Sequence, residues 1–559
     1  MDCTVSTGHR GAMAPLGSAA SQEVHRSAMD NEVKVVEVAP RPRLDRRVPL
    51  PTFEIEGMKM ERPSRSDGQS GDNNLNSIFS LSRNETGFIG AKVTCESPAT
   101  VRLTFDEMLT NGEVNPGRFY QGGDVIWHFA KAGTYDVETF DPYTLKYARF
   151  ETTEGSAKVT DAFLRRYENP MVGYRPRTTG DAELDRIREA AVASFAQNTV
   201  DVMTDCPSRE RAGWLCDSFF TARAAQHLLG GHDHETLFLE NYARATSFPG
   251  LPEGMVPMCY PSDVIVKGDH TFIPNWAMFF VLEVEEYMKR GGEREIVDAL
   301  KPRVEGIIAF LSRYENEDGL LENLPGWIFV EWSQANKLVD GVNYPSNMLW
   351  AETLAAAGRL CWRMDWCDKA RKVRETVRAQ SFDGEFFRDH AVRVERPSRS
   401  DGPPGIGGLA GGPSLRDGQE VSRAGGPSLR DGQRADTTLE VRPDRTETCQ
   451  YYAFYFGVAD FKRDAALWNR LVRRDFGDLA KSNAFIGNLM RMELLARDGR
   501  RDQMREEIKG YYLKMADSTG TLWEHDAPHA SCCHAFSSFL AVLLDLNVVP
   551  SSATTQNSQ

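Results

Sequence analysis

The 559-residue sequence predicts an antiparallel β-sandwich followed by a ring of paired helices, an (α/α)6 toroid. Three observations predict this fold class. Residues 33–170 alternate apolar and polar side chains in short runs rich in Val, Ile, Phe and Thr. From residue 176 to residue 548 the apolar spacing follows the helical period instead. Twelve helical segments can be counted there, and six hairpins need that number.

The β-domain is predicted from segments such as VKVVEV, GFIGAKVTC and DVIWHF, which turn residues separate at short intervals. Several short alternating strands with turns between them are typical of a sandwich. We therefore expect residues 33–170 to form one antiparallel β-sandwich domain.

The helical domain, residues 176–548, is predicted from apolar stripes and helix-end signals. The first helix places Leu184, Ile187 and Phe195 on one face, and the fourth has Pro274 in its first turn. The predicted helices are 182–199, 214–229, 234–247, 274–290, 294–315, 346–363, 365–380, 447–458, 463–475, 483–499, 501–517 and 531–546.

Two repeated sequences interrupt the pattern. ERPSRSDG occurs at 61–68 and 395–402, and AGGPSLRDGQ at 410–419 and 424–433. Both lack apolar periodicity, which predicts disordered surface insertions at 61–75 and 395–440, with a binding role left open. Residues 1–32 are predicted to be disordered and residues 549–559 to form a loose tail.

Composition excludes some functions. A net charge of −14 argues against nucleic acid and anionic membranes as partners. The ten cysteines are scattered and predict free thiols in a reducing compartment. The sequence as written has no signal peptide and no apolar run of membrane-spanning length, which predicts a cytoplasmic protein; an exported form would require a different start. A homodimer is left open.

The most informative stretch is DCPSRERAGWLCD, residues 205–217. Pro207 and Gly213 predict a loop, and the predicted helices on either side would hold it. Such a charged loop is either solvated surface or a group of carboxylates directed into a pocket. The interleaved Trp214 and cysteines favour the pocket.

This motif resembles the central motif of bacterial α-L-rhamnosidases, which reads DCPxRxERxGWxxD or a form one residue shorter. The resemblance extends over roughly residues 33–548 apart from the insertions. It implies an inverting six-hairpin glycosidase that releases terminal rhamnose and needs two carboxyl groups. It identifies Glu210 as the general acid and Asp205 and Asp217 as sugar ligands, and Arg209 and Trp214 join the substrate-binding candidates. For Trp214 the alternative is a core residue.

The second carboxylate is predicted to be Glu524, in GTLWEHD. The family carries its general base in a similar TLWE-like stretch before the last helix. An Asn-His pair usually follows, and only His534 matches here. We interpret His534 as a substrate ligand, with a capping role at a helix start as the alternative.

Two further aromatic residues complete the predicted substrate site. FIPNWAMFF resembles the family's FIPDW-like segment and identifies Trp276. GWIFVEWSQ resembles its GxFxDW-like segment and identifies Trp332, with Glu331 where Asp is more usual. Asp269 and His270 are weaker candidates.

No metal or cofactor is predicted. EHDAPHASCCH, residues 524–534, crowds metal-capable side chains, but its spacing matches no zinc motif. A phosphate-binding loop and a nucleophile elbow are also absent from the sequence.

Three alternatives remain at this stage. The β-domain is either a sugar-binding module, a wall of the site, or a structural support. The toroid could act on another sugar. The protein could also be a non-catalytic carbohydrate-binding member, since the β-domain that usually follows the toroid has no counterpart here.

Overall fold

The chain folds into an N-terminal antiparallel β-domain and a C-terminal ring of helices, which confirms the predicted fold class. The computed structural model describes residues 3–7, 48–61, 78–118, 124–262, 272–395, 437–475 and 477–547. Most of the two predicted insertions, the predicted tail, and the candidates Asp269 and His270 lie outside these residues.

The β-domain contains eleven strands among the described residues. They are β1 Cys3–Thr7, β2 Ile55–Gly57, β3 Lys59–Glu61, β4 Ile78–Cys95, β5 Ala99–Asp106, β6 Leu109–Thr110, β7 Glu113–Val114, β8 Asp124–Phe129, β9 Gly133–Glu138, β10 Tyr143–Glu154 and β11 Ala157–Arg166. Nine of them form one sheet with the order β1-β8-β5-β10-β4-β11-β2, and β3 and β9 also pair with β4.

Strand β4 folds this sheet into two layers. Its first half pairs with β3 and β10, and its second half pairs with β9 and β11. The apolar residues of β5 and β8 alternate and form buried cross-strand pairs, as in Val101–Trp127 and Leu103–Val125. The alternation read from the sequence is therefore the core of the sandwich.

Two disorder predictions fail at their edges. Cys3–Thr7 is a strand paired antiparallel with β8, and its run CTVST is rich in the β-branched residues that favour strands. The predicted insertion 395–440 begins and ends in a hairpin, because β13 (His390–Glu395) pairs with β14 (Thr437–Val441). A two-residue strand, β12 Val342–Asn343, pairs with β13 in turn.

The helical domain has twelve α-helices among the described residues, and each predicted helix overlaps one of them. They are α1 Ala182–Asn198, α2 Asp217–Leu229, α3 Asp233–Arg244, α4 Pro274–Lys289, α5 Arg294–Leu311, α6 Tyr344–Leu360, α7 Met364–Ser381, α8 Glu447–Tyr455, α9 Ala465–Arg473, α10 Leu489–Arg497, α11 Arg501–Thr519 and α12 Phe539–Asn547.

The six even-numbered helices form the inner ring. Each contacts the next, and α12 contacts α2 to close the circle. Inner helices are buried nearly all round, as in α4, whereas the outer helix α5 buries one stripe that includes Val297, Val304 and Leu311. No helix of the described residues is long and apolar enough to cross a membrane.

Loop length differs between the two ends of the ring. Short turns follow the inner helices, such as residues 230–232 and 290–293. Long loops precede them, such as residues 199–216, 312–343 and 520–538. The candidate motifs all lie in or beside these long loops, so the ring gathers them at the N-terminal ends of the inner helices.

Three predicted helix starts are wrong. In each case the predicted helix includes residues that belong to a loop at the N-terminal end of an inner helix. Trp214 lies outside α2, which begins at Asp217. Residues 484–488 form a distorted turn before α10, with Ile486 at a φ of 75°. The last helix begins at Phe539 because residues 531–534 are loop and Ala535–Ser538 is a single 3-10 turn.

A buried ion pair joins the first and last helices of the ring, and we predict a large effect on stability from its removal. Arg188 on α1 donates to both carboxylate oxygens of Asp545 on α12, at 2.6 and 2.9 Å. Asp545→Asn should lower the free energy of unfolding by about 3 kcal/mol, because it leaves a buried guanidinium unpaired.

Chemical denaturation at several pH values tests this expectation. The ion pair lowers the pKa of Asp545 to about 2, so its stabilisation is present above about pH 4 and is lost as the pH falls towards 2. Asp517→Asn is the matched control. Asp517 pairs with Arg186, which lies on α1 as Arg188 does, and both side chains are half-exposed. This pair should therefore contribute less than about 1 kcal/mol to the free energy of unfolding. Equal losses of unfolding free energy in both variants would contradict the larger stabilisation that we assign to the Arg188–Asp545 ion pair.

Candidate active site

The loop of residues 205–216 folds back on itself at the mouth of the ring. Asp205 fixes this shape, since its backbone N–H donates to Ala212 O at 3.0 Å and its Oδ1 accepts from Ala212 N at 3.1 Å. Gly213 is required beside it, because a Cβ there would lie 2.6 Å from Tyr260 O. Residues 206–211, which include Arg209 and Glu210, are therefore held in a tight loop.

Arg209 bridges two carboxylates that are distant in sequence. Its Nη2 donates to Glu524 Oε2 at 2.7 Å, and its Nε lies 3.2 Å from Glu210 Oε2. Because the guanidinium is a rigid planar fork, these contacts limit the distance between Glu210 Oε2 and Glu524 Oε2 to about 8 Å. The two predicted catalytic carboxyl groups thus face one small space.

Two more carboxylates complete the cluster. Cys206 Sγ donates to Asp205 Oδ2 at 3.0 Å and to Glu210 Oε2 at 3.2 Å. Burial and the nearby Glu210 carboxylate raise the pKa of Asp205 well above its usual value. Burial likewise raises the pKa of Asp217, which stands at the first position of α2, and the charges of Asp205 and Glu524 add to the effect.

Glu524 stands on the long loop that precedes α12. Backbone hydrogen bonds close this loop, from Glu524 N to Ser531 O at 3.0 Å and from His534 N to Leu522 O at 2.8 Å. Burial alone would raise the pKa of Glu524, but Arg209, His534 and His525 lower it to about 2. Glu524 is therefore an ionised carboxylate at neutral pH.

The two loops are joined directly. Ala535 N donates to Asp205 O at 2.8 Å, and the hydroxyls of Ser208 and Ser531 lie 3.0 Å apart. These contacts hold the Glu210 loop and the Glu524 loop in fixed register. The two serines are site residues that the sequence interpretation did not identify, and no motif distinguishes them from other loop serines.

His534 is a neutral, buried imidazole at the centre of this arrangement. Burial lowers its pKa to about 4, against the opposing effect of Glu524. Its Nδ1 lies 3.4 Å from Asp217 Oδ1. The alternative reading of His534 as a cap at a helix start is not supported, since its side chain caps no backbone N–H of the following 3-10 turn.

Several buried polar atoms around this space have no hydrogen-bond partner among the described residues. They are Arg209 Nε, Trp214 Nε1, Asp217 Oδ1, Trp276 Nε1 and His534 Nδ1. Buried polar groups are normally paired, and all five of these atoms belong to residues that the sequence assigned to the substrate site. Donors and acceptors arranged in this way match a ligand that carries several hydroxyl groups.

An aromatic wall borders the same space. Trp276 packs on Phe329 at a centroid distance of 4.8 Å, and Phe329 packs on Trp332 at 4.7 Å. Trp332 is 42% exposed, whereas Trp276 is only 2% exposed. Trp332 therefore presents an open ring face, while Trp276 is mostly covered by neighbouring rings.

Phe485, like Phe329, is an aromatic residue of this wall that the sequence did not identify. It lies 5.8 Å from Trp276 and 6.1 Å from His534 between ring centroids, so it links the wall to the carboxylate cluster. Its loop is anchored by Glu331, whose Oε1 accepts from Asn483 N at 3.0 Å and Gly487 N at 2.8 Å. Glu331 is fully buried, so its place beside Trp332 serves this loop.

Metal-capable side chains also meet here. Asp205, Cys206 and His534 have ligand atoms within 4.8 Å of one another, and the described residues contain no other such group. Burial raises the pKa of the Cys206 thiol well above its usual value, and the thiol proton is shared with two carboxylates.

Comparison with known proteins finds one matching family model. Residues 177–390 match the family model of the bacterial alpha-L-rhamnosidase 6 hairpin glycosidase domain. No curated protein matches the chain in sequence.

Solved structures show the same fold at low identity. A GH78 family rhamnosidase of Bacillus sp. GL1 is 18% identical, with a TM-score of 0.65 over 84% of this chain and 46% of its own. A Klebsiella oxytoca rhamnosidase with rhamnose bound is 16% identical, with a TM-score of 0.66 over 89% of this chain and 95% of its own. A Streptomyces avermitilis alpha-L-rhamnosidase complexed with L-rhamnose is 14% identical, with a TM-score of 0.59 over 89% and 44%. The chain thus spans about half the length of some relatives and nearly all of another.

Proposed function

We propose that the protein is an exo-acting α-L-rhamnosidase with an inverting mechanism, a proposal that the match of residues 177–390 to the bacterial alpha-L-rhamnosidase 6 hairpin glycosidase domain supports. The single observation that carries the proposal is the pair of carboxylates bridged by Arg209. Glycoside hydrolysis needs two carboxyl groups on opposite sides of the scissile bond, and inversion needs them ~6.5–9.5 Å apart. The upper limit of about 8 Å set by Arg209 admits that range and also the ~5–5.5 Å of a retaining enzyme, so the bridged pair supports a two-carboxylate glycosidase and inversion is proposed from the family match.

In this mechanism the two carboxyl groups have opposite tasks. Glu210 donates its proton to the glycosidic oxygen, and the bond between that oxygen and the anomeric carbon breaks. Glu524 takes a proton from a water molecule, whose oxygen forms the new bond to the anomeric carbon from the opposite face. The Arg209 guanidinium supports this division, because it keeps Glu524 ionised, which is the form that a general base requires.

The remaining site residues would bind the sugar. Asp205 and Asp217 offer carboxyl oxygens to neighbouring hydroxyls, and His534 offers a neutral imidazole. Trp214 and Trp332 would provide apolar ring faces, and Phe329 joins Trp276 to Trp332. The low exposure of Trp276 supports a role as backing for the wall.

A panel of 4-nitrophenyl glycosides tests the proposed substrate. We expect release of nitrophenol from the α-L-rhamnopyranoside at a kcat/KM at least about 100-fold higher than from the α-L-fucoside, α-L-arabinoside, α-D-mannoside or β-D-glucoside, since a site built for specific hydroxyls rejects analogues that leave its polar groups unpaired. Preferential cleavage of another glycoside would contradict rhamnose as the substrate, but it would leave the assignment of the two catalytic carboxylates in place. Failure to cleave any of them, with folded protein, would favour a binding protein.

A further inference from the structure

The loop that carries Glu524 is held from the β-domain. At the end of β5, Glu107 Oε2 accepts a hydrogen bond from Cys532 N at 3.0 Å. Shortly after β7, Arg118 Nη1 donates to Ala530 O at 2.9 Å and to Pro528 O at 3.2 Å. Three alternate backbone positions of the loop, 528, 530 and 532, are thus fixed by two side chains from the other domain.

The two side chains are themselves rigidly placed. Arg118 Nε donates to both oxygens of Asp106, at 2.8 and 3.0 Å, and its Nη2 donates to Glu107 Oε2 at 3.2 Å. Glu107 Oε1 accepts from Asn84 Nδ2 at 2.8 Å. The side chains of Arg118 and Glu107 are 5% and 0% exposed, so solvent competes little with these bonds.

The contact is close to the proposed chemistry. Ser531, between Ala530 and Cys532, accepts the backbone N–H of Glu524 and meets Ser208 of the Glu210 loop. A shift of the 530–532 segment would therefore displace Glu524 and change its distance from Glu210.

We propose that Glu107 and Arg118 are positioning residues that hold the Glu524 loop in its productive geometry. This inference rests on the proposed function only for the role of Glu524 as base. It gives the β-domain a part in catalysis through its contacts with the loop, without requiring it to bind sugar.

The test compares Glu107→Ala, Arg118→Gln and Arg118→Lys in the full-length protein. Two readouts are needed: kcat and KM for 4-nitrophenyl α-L-rhamnopyranoside, and labelling rates of single cysteines by a thiol reagent, followed by mass spectrometry. Cys532 and Cys533 are buried in the clamped segment, whereas Cys449 is buried on α8 and reports global unfolding. Arg102→Gln is the matched control, because Arg102 forms a partly exposed pair with Asp124 elsewhere in the sheet.

We expect kcat to fall about 100-fold in Glu107→Ala and Arg118→Gln with KM changed much less, since a displacement of about 1 Å can have that effect. Labelling of Cys532 and Cys533 should accelerate while that of Cys449 stays at the native rate. Arg118→Lys should recover part of kcat, because it restores the charge but not the planar fork. Arg102→Gln should behave as native protein.

An unchanged kcat together with unchanged labelling would overturn the inference. Parallel acceleration at Cys449 would also overturn it, because the effect would then be global destabilisation. If the native protein cleaves no glycoside, the proposed function fails, and the labelling rates alone still decide whether Glu107 and Arg118 hold the loop.

Discussion

Glu524→Gln is expected to lower kcat for 4-nitrophenyl α-L-rhamnopyranoside by about 10²–10⁴-fold, the range that general base catalysis contributes. Glutamine can still accept the hydrogen bond from Arg209, so the loop should keep its shape. It cannot take a proton from water, however, so the attacking oxygen is no longer activated. The loss should appear in kcat with little change in KM, because the change acts on the transition state.

The matched control for this variant is Glu506→Gln on the outer helix α11, where the side chain is 74% exposed. It should leave kcat and the melting temperature as they are in the native protein. If Glu524→Gln retained more than a tenth of native kcat, the base would have to be another residue.

Glu210→Gln is expected to show a loss that depends on the leaving group. An alkyl alcohol is a poor leaving group and needs the proton, so kcat/KM for an alkyl α-L-rhamnoside should fall by about 10²–10⁴-fold. Nitrophenolate is stable without the proton, so the aryl rhamnoside should lose clearly less. Measuring both substrates with the native protein and the variant separates loss of the acid from loss of folding, which would affect the two equally.

An equal loss on both substrates would contradict the role of Glu210 as acid. It would indicate that the residue acts through Arg209, to which it is also close, for example by holding the guanidinium against Glu524.

Much of the fold could be predicted because its signals are local. The alternation in strands such as β5 and β8, and the apolar stripes of twelve helices, each lie within one short segment. The sequence predicts helix starts at 214, 483 and 531 that are too early, because apolar periodicity continues into loops that tertiary contacts hold out of the helix. Ile486 shows this clearly, since its positive φ is unfavourable locally and persists only within the anchored loop.

The candidate site was predicted in part for the same reason. Asp205, Arg209, Glu210 and Asp217 belong to one run of sequence, and the structure brings Glu524 and His534 to them. Their roles as acid, base and ligands stay predictions. The hydrogen bond from Arg209 to Glu524 joins positions 315 residues apart, and no local sequence pattern indicates it.

The measurement that tests the account most directly is the configuration of the first sugar released from an aryl α-L-rhamnoside, followed by proton NMR before the anomers interconvert. We predict that the β anomer appears first, because a water activated by Glu524 attacks from the face opposite the bond protonated by Glu210. First appearance of the α anomer would contradict the account, since it would require Glu524 or another carboxylate to attack the sugar itself.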